Sequence, residues 1–503
     1  MASPQTPLDP AACYQAVLSR DARFDGHFFT AVKTTGIYCR PVCKVRAPLA
    51  KNCLFFPSAA RAEGAGFRPC LRCRPELAPA APTTIAHWST QDASQILAMQ
   101  AMQLLDSAEA LADAPLRVAD LAARLGVSER HLRRILVQHL GVTPSQYRQT
   151  RRLLLAKQLL CDTALPIARI AQLCGFASQR RFNTAFAGHY RLTPSACRRE
   201  GQAASDVRLK LAYRPPYDEA AMMEFLAQRA VPGLELCTST GDGTDEFVRI
   251  VRMSVGRRSH LGWVRLQFDP AAHRVHVQLS DSLLPVLPAV LQQVRWALDL
   301  DADPLAIEPA LARDFAHCAG WRVPGAWDGF ELAVRAVMGQ QVTVAAARTL
   351  TRRLVQTLGE PLGTPWPQLT HAFPTPATLL HASPDALGQL GIVRQRQKAI
   401  QALAHAVVHG GLDLRPGPQV QATVLALMAL PGIGEWTAQY IAMRALRWPD
   451  AFPAGDIVVQ QRLGVRDGPQ PARAATARAT ELATAWQPWR SYAVIRLWHG
   501  GSP

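Results

Sequence analysis

No apolar run in this chain approaches the roughly 20 residues that a membrane-crossing helix needs, which excludes a spanning helix of the ordinary kind. Met1 to Pro10 lacks the apolar stretch of a secretory leader, so the expected compartment is the cytoplasm. Short-period repeats are missing too, and a solenoid is not expected. Acidic residues are few: 38 Asp+Glu face 55 Lys+Arg, a net charge of +17. The deficit is concentrated at the front, where residues 1–200 hold 26 Lys+Arg against 13 Asp+Glu. Such a front suits a polyanion, nucleic acid above all, although acidic lipid or protein carries the same sign. With 503 residues the chain exceeds what one hydrophobic core supports, and three or four domains are expected.

What is present begins with four clustered cysteines. Cys39 and Cys43 form a C-x3-C, and Cys70 and Cys73 a C-x2-C, the spacing of two chelating turns that close on one tetrahedral metal. In a reducing compartment these thiols stay free to bind metal. The other seven cysteines have no chelating spacing and read as small packing residues. A structural zinc knot is the commoner fate of four cysteine ligands, but zinc-bound thiolate is also a nucleophile. Zinc is preferred to iron because such work needs no redox change.

The stretch from Phe28 to Glu76 resembles the N-terminal module of the Ada alkylation-response family, through TTGIYCRPVC (Thr34 to Cys43) and GFRPCLRC (Gly66 to Cys73). The resemblance implies that Cys39 accepts a methyl group from a DNA methylphosphotriester, with Cys43, Cys70 and Cys73 as companion ligands. A methylated phosphate is neutral and does not repel a thiolate as a phosphodiester does. Pro75 to Thr84, rich in Pro and Ala, reads as a linker closing this module.

Val118 to His139 reads as helix, turn at Gly126, helix, with Ser128 in the N-cap position. Leu132, Ile135 and Leu136 form an inward stripe, leaving Arg130, Arg133 and Arg134 for a groove of DNA. A second copy spans Ile167 to Tyr190, with its turn at Gly175, cap Ser178, core Phe182 and Phe186, and outward Gln179, Arg180, Arg181 and Asn183. A solvated face on a helical bundle is the bland alternative, and tandem copies weigh against it. Residues 116–199 resemble the DNA-binding domain of AraC-type activators, which implies promoter DNA and RNA polymerase as partners.

Alternating residues between Val207 and Leu300, with helices near 218–230 and 283–298, indicate a small α+β module. Beyond it, Leu430 to Tyr440 (LPGIGEWTAQY) is a helix-hairpin-helix signature in which Gly432, Ile433 and Gly434 bring backbone amides to a phosphate. Asp456, after a Gly and before an apolar stretch, reads by itself as a helix cap. Placed shortly after the hairpin it is also a catalytic candidate. The span 207–500 resembles AlkA-type 3-methyladenine DNA glycosylases, which implies Asp456 as the catalytic carboxylate and Trp436, Tyr440 and Trp498 as aromatic pocket walls. Electron-rich indoles suit a cationic alkylpurine. The family's apolar wedge falls on Gln341. Lyase-active relatives carry a Schiff-base Lys where this chain has Trp436, and often a C-terminal iron–sulfur loop, whereas no cysteine follows Cys318 here. Base excision without strand cleavage is therefore expected. The Pro-Cys-His-Arg site of an O6-methylguanine methyltransferase is absent. Trp327, Trp486 and Trp489 are expected in the core.

The sequence thus predicts a multidomain α+β protein: a zinc-binding module at 1–80, an all-α tandem helix-turn-helix domain at 84–200, a small α+β domain at 206–300 and an all-α glycosylase domain at 301–500. The Ada–AlkA resemblance implies a methylation-sensing activator that also excises alkylated bases from double-stranded DNA. The rival is a transcription factor whose C-terminal half only holds DNA.

Overall fold

The structure is a computed structural model describing residues 9–80, 93–106, 117–200, 208–239, 245–255, 258–417, 419–466 and 472–500. Val207 and the stretch 81–84 of the expected linker lie outside the described residues. Among the described residues no helix is long and apolar enough to cross a membrane.

The front module is a four-stranded sheet in the order β3-β1-β2-β4, with β1 at Phe29–Val32, β2 at Ile37–Cys39, β3 at Cys53–Phe56 and β4 at Arg68–Pro69. β2 and β4 run parallel, pairing Ile37 with Arg68 and Tyr38 with Pro69. The next residues along each strand are Cys39 and Cys70, so this register brings both chelating turns to one end of the sheet.

Both helix-turn-helix units form as their caps predict. Ser128 accepts the His131 N–H ahead of the Glu129–Leu140 helix, and Ser178 accepts the Arg181 N–H ahead of the Gln179–Tyr190 helix. Each hydroxyl satisfies an amide that has no partner inside its helix, which fixes where the helix starts. Phe182, Phe186 and Tyr190 pack one turn apart, tilted and edge-to-face, at centroid separations of 5.5 and 4.6 Å, and are buried. Burying each ring stabilises the unit by about 1.5–3 kcal/mol.

The α+β module holds a five-stranded antiparallel sheet in the order β5-β9-β8-β7-β6, with β5 at Leu209–Ala212, β6 at Glu235–Ser239, β7 at Asp245–Val255, β8 at Arg258–Asp269 and β9 at Arg274–Leu279. Its helices run Glu219–Arg229 and Leu287–Ala297, the second preceded by a 3-10 turn over Asp281–Val286. The remainder is helical. Trp486 and Trp489 are buried there, while Trp327 is half-buried and stacks on Phe247.

The hydrophobic cores cut across the expected boundaries. One cluster joins Leu153 and Leu160 of the Pro144–Asp162 helix and Phe182 and Phe186 of the second helix-turn-helix unit to Leu209, Val264 and Val275 of the five-stranded sheet. Another joins Val248 and Ile250 of β7 to the helices up to Leu497. The sensor is tied in by Glu63, whose buried carboxylate accepts from Tyr38 Oη at 2.8 Å and Thr150 Oγ1 at 2.5 Å and lies 2.6 Å from His189 Nε2. The linker reading also needs correction for Pro75–Ala80. Pro75, Leu77 and Pro79 are buried, and Glu76 pairs with Lys157 at 2.5 Å. The inward Glu76 carboxylate and the Ala80 N–H bonded to Asp301 turn this stretch into packed structure.

Candidate metal centre and active site

The ligand atoms of Cys39, Cys43, Cys70 and Cys73 all lie within 4.8 Å of one another, the sole such grouping among the described residues. Cys39 ends β2, and the Cys70 amide donates to Tyr38 O at 2.9 Å, so the sheet itself sets the spacing. Hydrogen bonds with Cys43 and Cys70 push the Cys39 thiol up, while those from Cys39 and Cys43 hold Cys70 down. Four sulfurs so close cannot all carry negative charge unaided. A soft dication relieves that repulsion, and the set fits one zinc ion with four cysteine ligands. Arg40, directly after Cys39, donates its backbone N–H to Cys73 Sγ at 3.4 Å and Nη1 to Cys73 O at 3.1 Å. Its guanidinium also pairs with buried Asp25. Arg40 and Asp25 were not foreseen, because the packing that joins them is not local. Lys44, Arg46 and Arg72 are exposed on the cysteine-bearing turns. Cys161 and Cys197 lie close enough to perturb one another, holding the Cys161 thiol down and pushing the Cys197 thiol up, a pair that spacing does not reveal.

On the helix-turn-helix units, Arg130, Arg133, Arg134, Gln179, Arg180, Arg181 and Asn183 are all exposed. Arg133 lies 3.6 Å from Glu129, and Arg134 Nη2 lies 2.8 Å from His131 Nδ1. Exposed pairs of this sort contribute little stability and leave both guanidiniums available to phosphate.

The C-terminal site is built from three elements. Gly432 sits at φ +78° in the hairpin turn, where a Cβ would meet Ala399 Cβ at 3.0 Å, so glycine is required. Gly434 caps the Glu435–Arg444 helix. Ile433 departs from expectation: its side chain is buried and its N–H donates to Leu430 O at 3.2 Å, because the turn uses both internally. Gly432 and Gly434 on either side of it are exposed.

Asp456 does cap the Ile457–Arg462 helix, its Oδ1 accepting the Val459 N–H at 3.0 Å. The same carboxylate accepts Trp436 Nε1–H on Oδ2 at 2.8 Å and Trp498 Nε1–H on Oδ1 at 3.2 Å. Cap and candidate catalytic group are one residue. Tyr440 stacks on Trp436 with centroids 5.4 Å apart and planes at 18°, and lies 5.9 Å from Trp498. Three half-buried rings thus surround one carboxylate. Sequence reasoning missed Phe225, Arg229 and Arg444. Arg444 Nη1 donates to Tyr440 Oη at 2.5 Å and its guanidinium lies 4.8 Å from the Phe225 ring, with Arg229 on that ring at 3.8 Å. Burial alone would raise the Tyr440 phenol, but Arg444 and Arg229 outweigh it and hold it below its ordinary value. Arg444 was findable, four residues after Tyr440 on one helical face. Phe225 comes from the α+β module, and no local signal marks it.

Gln341 is exposed at φ +55°, at the tip of a loop braced on the hairpin by Gln340, whose Nε2 donates to Gly432 O and Thr437 Oγ1 at 2.9 Å each. Val342 and Val344 beside it are also exposed.

A four-thiolate centre, paired helix-turn-helix units and a hairpin beside an aromatic-lined carboxylate define a multidomain DNA-handling protein. The family model for the metal binding domain of Ada matches residues 12–76, that for a helix-turn-helix domain 121–200, that for the AlkA N-terminal domain 208–328, and that for the HhH-GPD superfamily of base excision DNA repair proteins 334–488. Over 97% of its length the chain is 38% identical to a probable bifunctional transcriptional activator/DNA repair enzyme AlkA of Mycobacterium tuberculosis, covering 95% of that protein. It is 37% identical to DNA-3-methyladenine glycosylase 2 of Escherichia coli over 58% of this chain and 96% of that one. To the bifunctional transcriptional activator/DNA repair enzyme Ada of Escherichia coli it is 37% identical over 28% of this chain and 35% of that protein. The chain belongs to the Ada–AlkA fusion family.

Proposed function

We infer that this protein senses methylated DNA through Cys39, activates transcription through its helix-turn-helix units, and excises alkylated bases as a monofunctional DNA-3-methyladenine glycosylase. The observation that carries the enzymatic reading is the Asp456 carboxylate, held by two indole N–H groups among three aromatic rings.

An alkylpurine lesion is cationic, so the rings of Trp436, Tyr440 and Trp498 bind it by cation–π attraction. Flipping it out costs less than flipping a well-paired base. As the N-glycosidic bond breaks, its electron pair leaves with the base, which becomes neutral, and the sugar C1′ becomes electron-poor. Asp456 stabilises that charge and orients water toward C1′. Gly432 and Gly434 grip the phosphate backbone without reading sequence, and Gln341 fills the space vacated in the duplex.

At the front, zinc held by Cys39, Cys43, Cys70 and Cys73 would keep the sulfurs deprotonated at neutral pH. Cys39 sulfur attacks the methyl carbon of a neutral methylphosphotriester. An S–C bond forms, the C–O bond breaks, and the phosphate leaves with its negative charge restored. The centre loses one negative charge and Cys39 becomes a thioether, so transfer is stoichiometric. Weaker repulsion of phosphate then raises DNA affinity, with Arg130, Arg133, Arg134, Gln179, Arg180, Arg181 and Asn183 facing the promoter. RNA polymerase is the expected protein partner, and the cytoplasm the expected compartment.

The test is mass analysis of the full chain after exposure to methylphosphotriester DNA, beside release of free 3-methyladenine from alkylated duplex. One methyl per chain is expected, lost in Cys39→Ser. Transfer that persists in that variant rejects the assignment of Cys39.

A further inference from the structure

One buried guanidinium lies at the centre of the seam between the metal module and the glycosylase half. Arg214, just beyond β5, is wholly buried, and every hydrogen bond it donates goes to a backbone carbonyl. Its Nε–H donates to Asp25 O at 2.7 Å, Nη1 to Asp301 O at 3.0 Å and Ala302 O at 3.2 Å, and Nη2 to Ala80 O. Asp25 and Ala80 belong to the metal module, Asp301 and Ala302 to the loop before the Pro304–Phe315 helix. Two further bonds cross the same seam. Ala80 N–H donates to Asp301 Oδ1 at 2.9 Å, and His27 Nε2 lies 3.1 Å from Asp303 Oδ1. Packing is close: a Cβ on Gly26, at φ +79°, would sit 3.0 Å from Arg214 Nη2 across the seam and 2.3 Å from Pro79 O within the metal module.

The seam leads to the thiolates. Arg214 fixes the backbone of Asp25, and the Asp25 carboxylate grips Arg40 through Nε at 2.8 Å and through Nη2. Arg40 in turn holds Cys73 by the two bonds already described and sets the chain next to Cys39. Groups that orient metal ligands from behind typically contribute tenfold to a hundredfold in metal retention. Here the last member of that support comes from another module.

We propose that the glycosylase half supplies the outer support of the methyl-acceptor centre, with Arg214 as the positioning residue, so that methyl acceptance at Cys39 depends on the neighbouring module. The proposal rests on the reading of Cys39 given above. Replacing Arg214 takes the donor from four backbone carbonyls, those of Asp25 and Ala302 in buried bonds, and frees Asp25, which loosens Arg40 and then the cysteine turns.

The experiment uses the zinc-loaded full chain as wild type, Arg214→Met, Arg214→Lys and Gly26→Ala. Zinc loss to a chelator, amide hydrogen exchange over residues 22–43, methyl acceptance and 3-methyladenine release are measured for each. Arg214→Met is expected to lose zinc roughly tenfold faster. Exchange over 22–43 should rise and methyl acceptance slow, with base release within about twofold of wild type. Arg214→Lys keeps donors for the carbonyls and should recover most of the retention. Gly26→Ala opens the seam from the other side and should repeat the pattern if Arg214→Met does not fold. Zinc loss and exchange at wild-type rates in both seam variants overturn the proposal, and so does a fall in base release equal to that in methyl acceptance. Should wild type accept no methyl, the reading of Cys39 fails, while the chelator and exchange measurements still decide whether the seam supports the centre.

Discussion

Replacing Asp456 with Asn separates its helix cap from the catalytic role proposed for it. Both carboxylate oxygens accept N–H groups, Oδ1 from Val459 and Trp498 and Oδ2 from Trp436. The amide of Asp456→Asn has one acceptor oxygen, so either of its two orientations sets the NH2 group against an indole or a backbone donor. The lost bond costs about 1–3 kcal/mol of stability. The chemical cost is larger. A unit charge about 4 Å from a developing sugar cation, at an effective dielectric of about 20, is worth about 4 kcal/mol. That corresponds to roughly a thousandfold in rate. The assay is single-turnover release of 3-methyladenine from alkylated duplex, well below the variant's melting temperature, with affinity for abasic duplex measured alongside. Expected are a roughly thousandfold slower chemical step and nearly unchanged DNA affinity. Release within threefold of wild type would refute the assignment of the carboxylate, and a loss explained wholly by weaker DNA binding would refute the electrostatic argument.

Trp436→Phe keeps an aromatic face but removes the 2.8 Å bond to Asp456, and single-turnover release should slow by roughly tenfold, the equivalent of one hydrogen bond to a charged group. Phe182→Ala empties a fully buried site shared by the second helix-turn-helix unit and the sheet, and denaturant titration should show a loss of about 3–5 kcal/mol. Glu76 gives a pH prediction. Burial opposes its ionisation, but Lys157 and Arg74 outweigh that and hold its carboxyl below the ordinary value of 4.5. A carboxyl lowered in the folded state contributes stability that is present above pH 4.5 and lost as pH falls below it through the folded value. Melting temperature measured from pH 7 downward should therefore drop below that point in wild type, and Glu76→Gln should flatten this part of the profile while lowering stability at pH 7.

Much of the local architecture was legible because it is written in spacing. Ser128 and Ser178 as caps, Phe182 and Phe186 as core, and the glycine hairpin turn each depend on residues within a few positions, so periodicity and turn chemistry suffice. The cysteine turns were legible for the same reason, since each chelating pair is a local motif. The burial of Ile433 and its internal N–H bond were not legible, because the hairpin turn spends its middle residue on its own closure. Pro75–Ala80 was misjudged because composition describes an isolated chain, and this stretch is packed against partners far away in sequence.

By itself, then, the sequence determined the module order, the metal donors, the exposed faces of the helix-turn-helix units and the helix cap at Asp456, all of which follow from residue type at short separation. Tertiary structure alone decided that Trp436 and Trp498 meet on Asp456, that Phe225 and Arg444 stand behind Tyr440, and that Arg214 reaches the back of the thiolate centre. Apart from Tyr440 and Arg444, which share one helical face, those contacts join segments whose separation along the chain carries no periodic signal, and only the closing of shared cores brings them together.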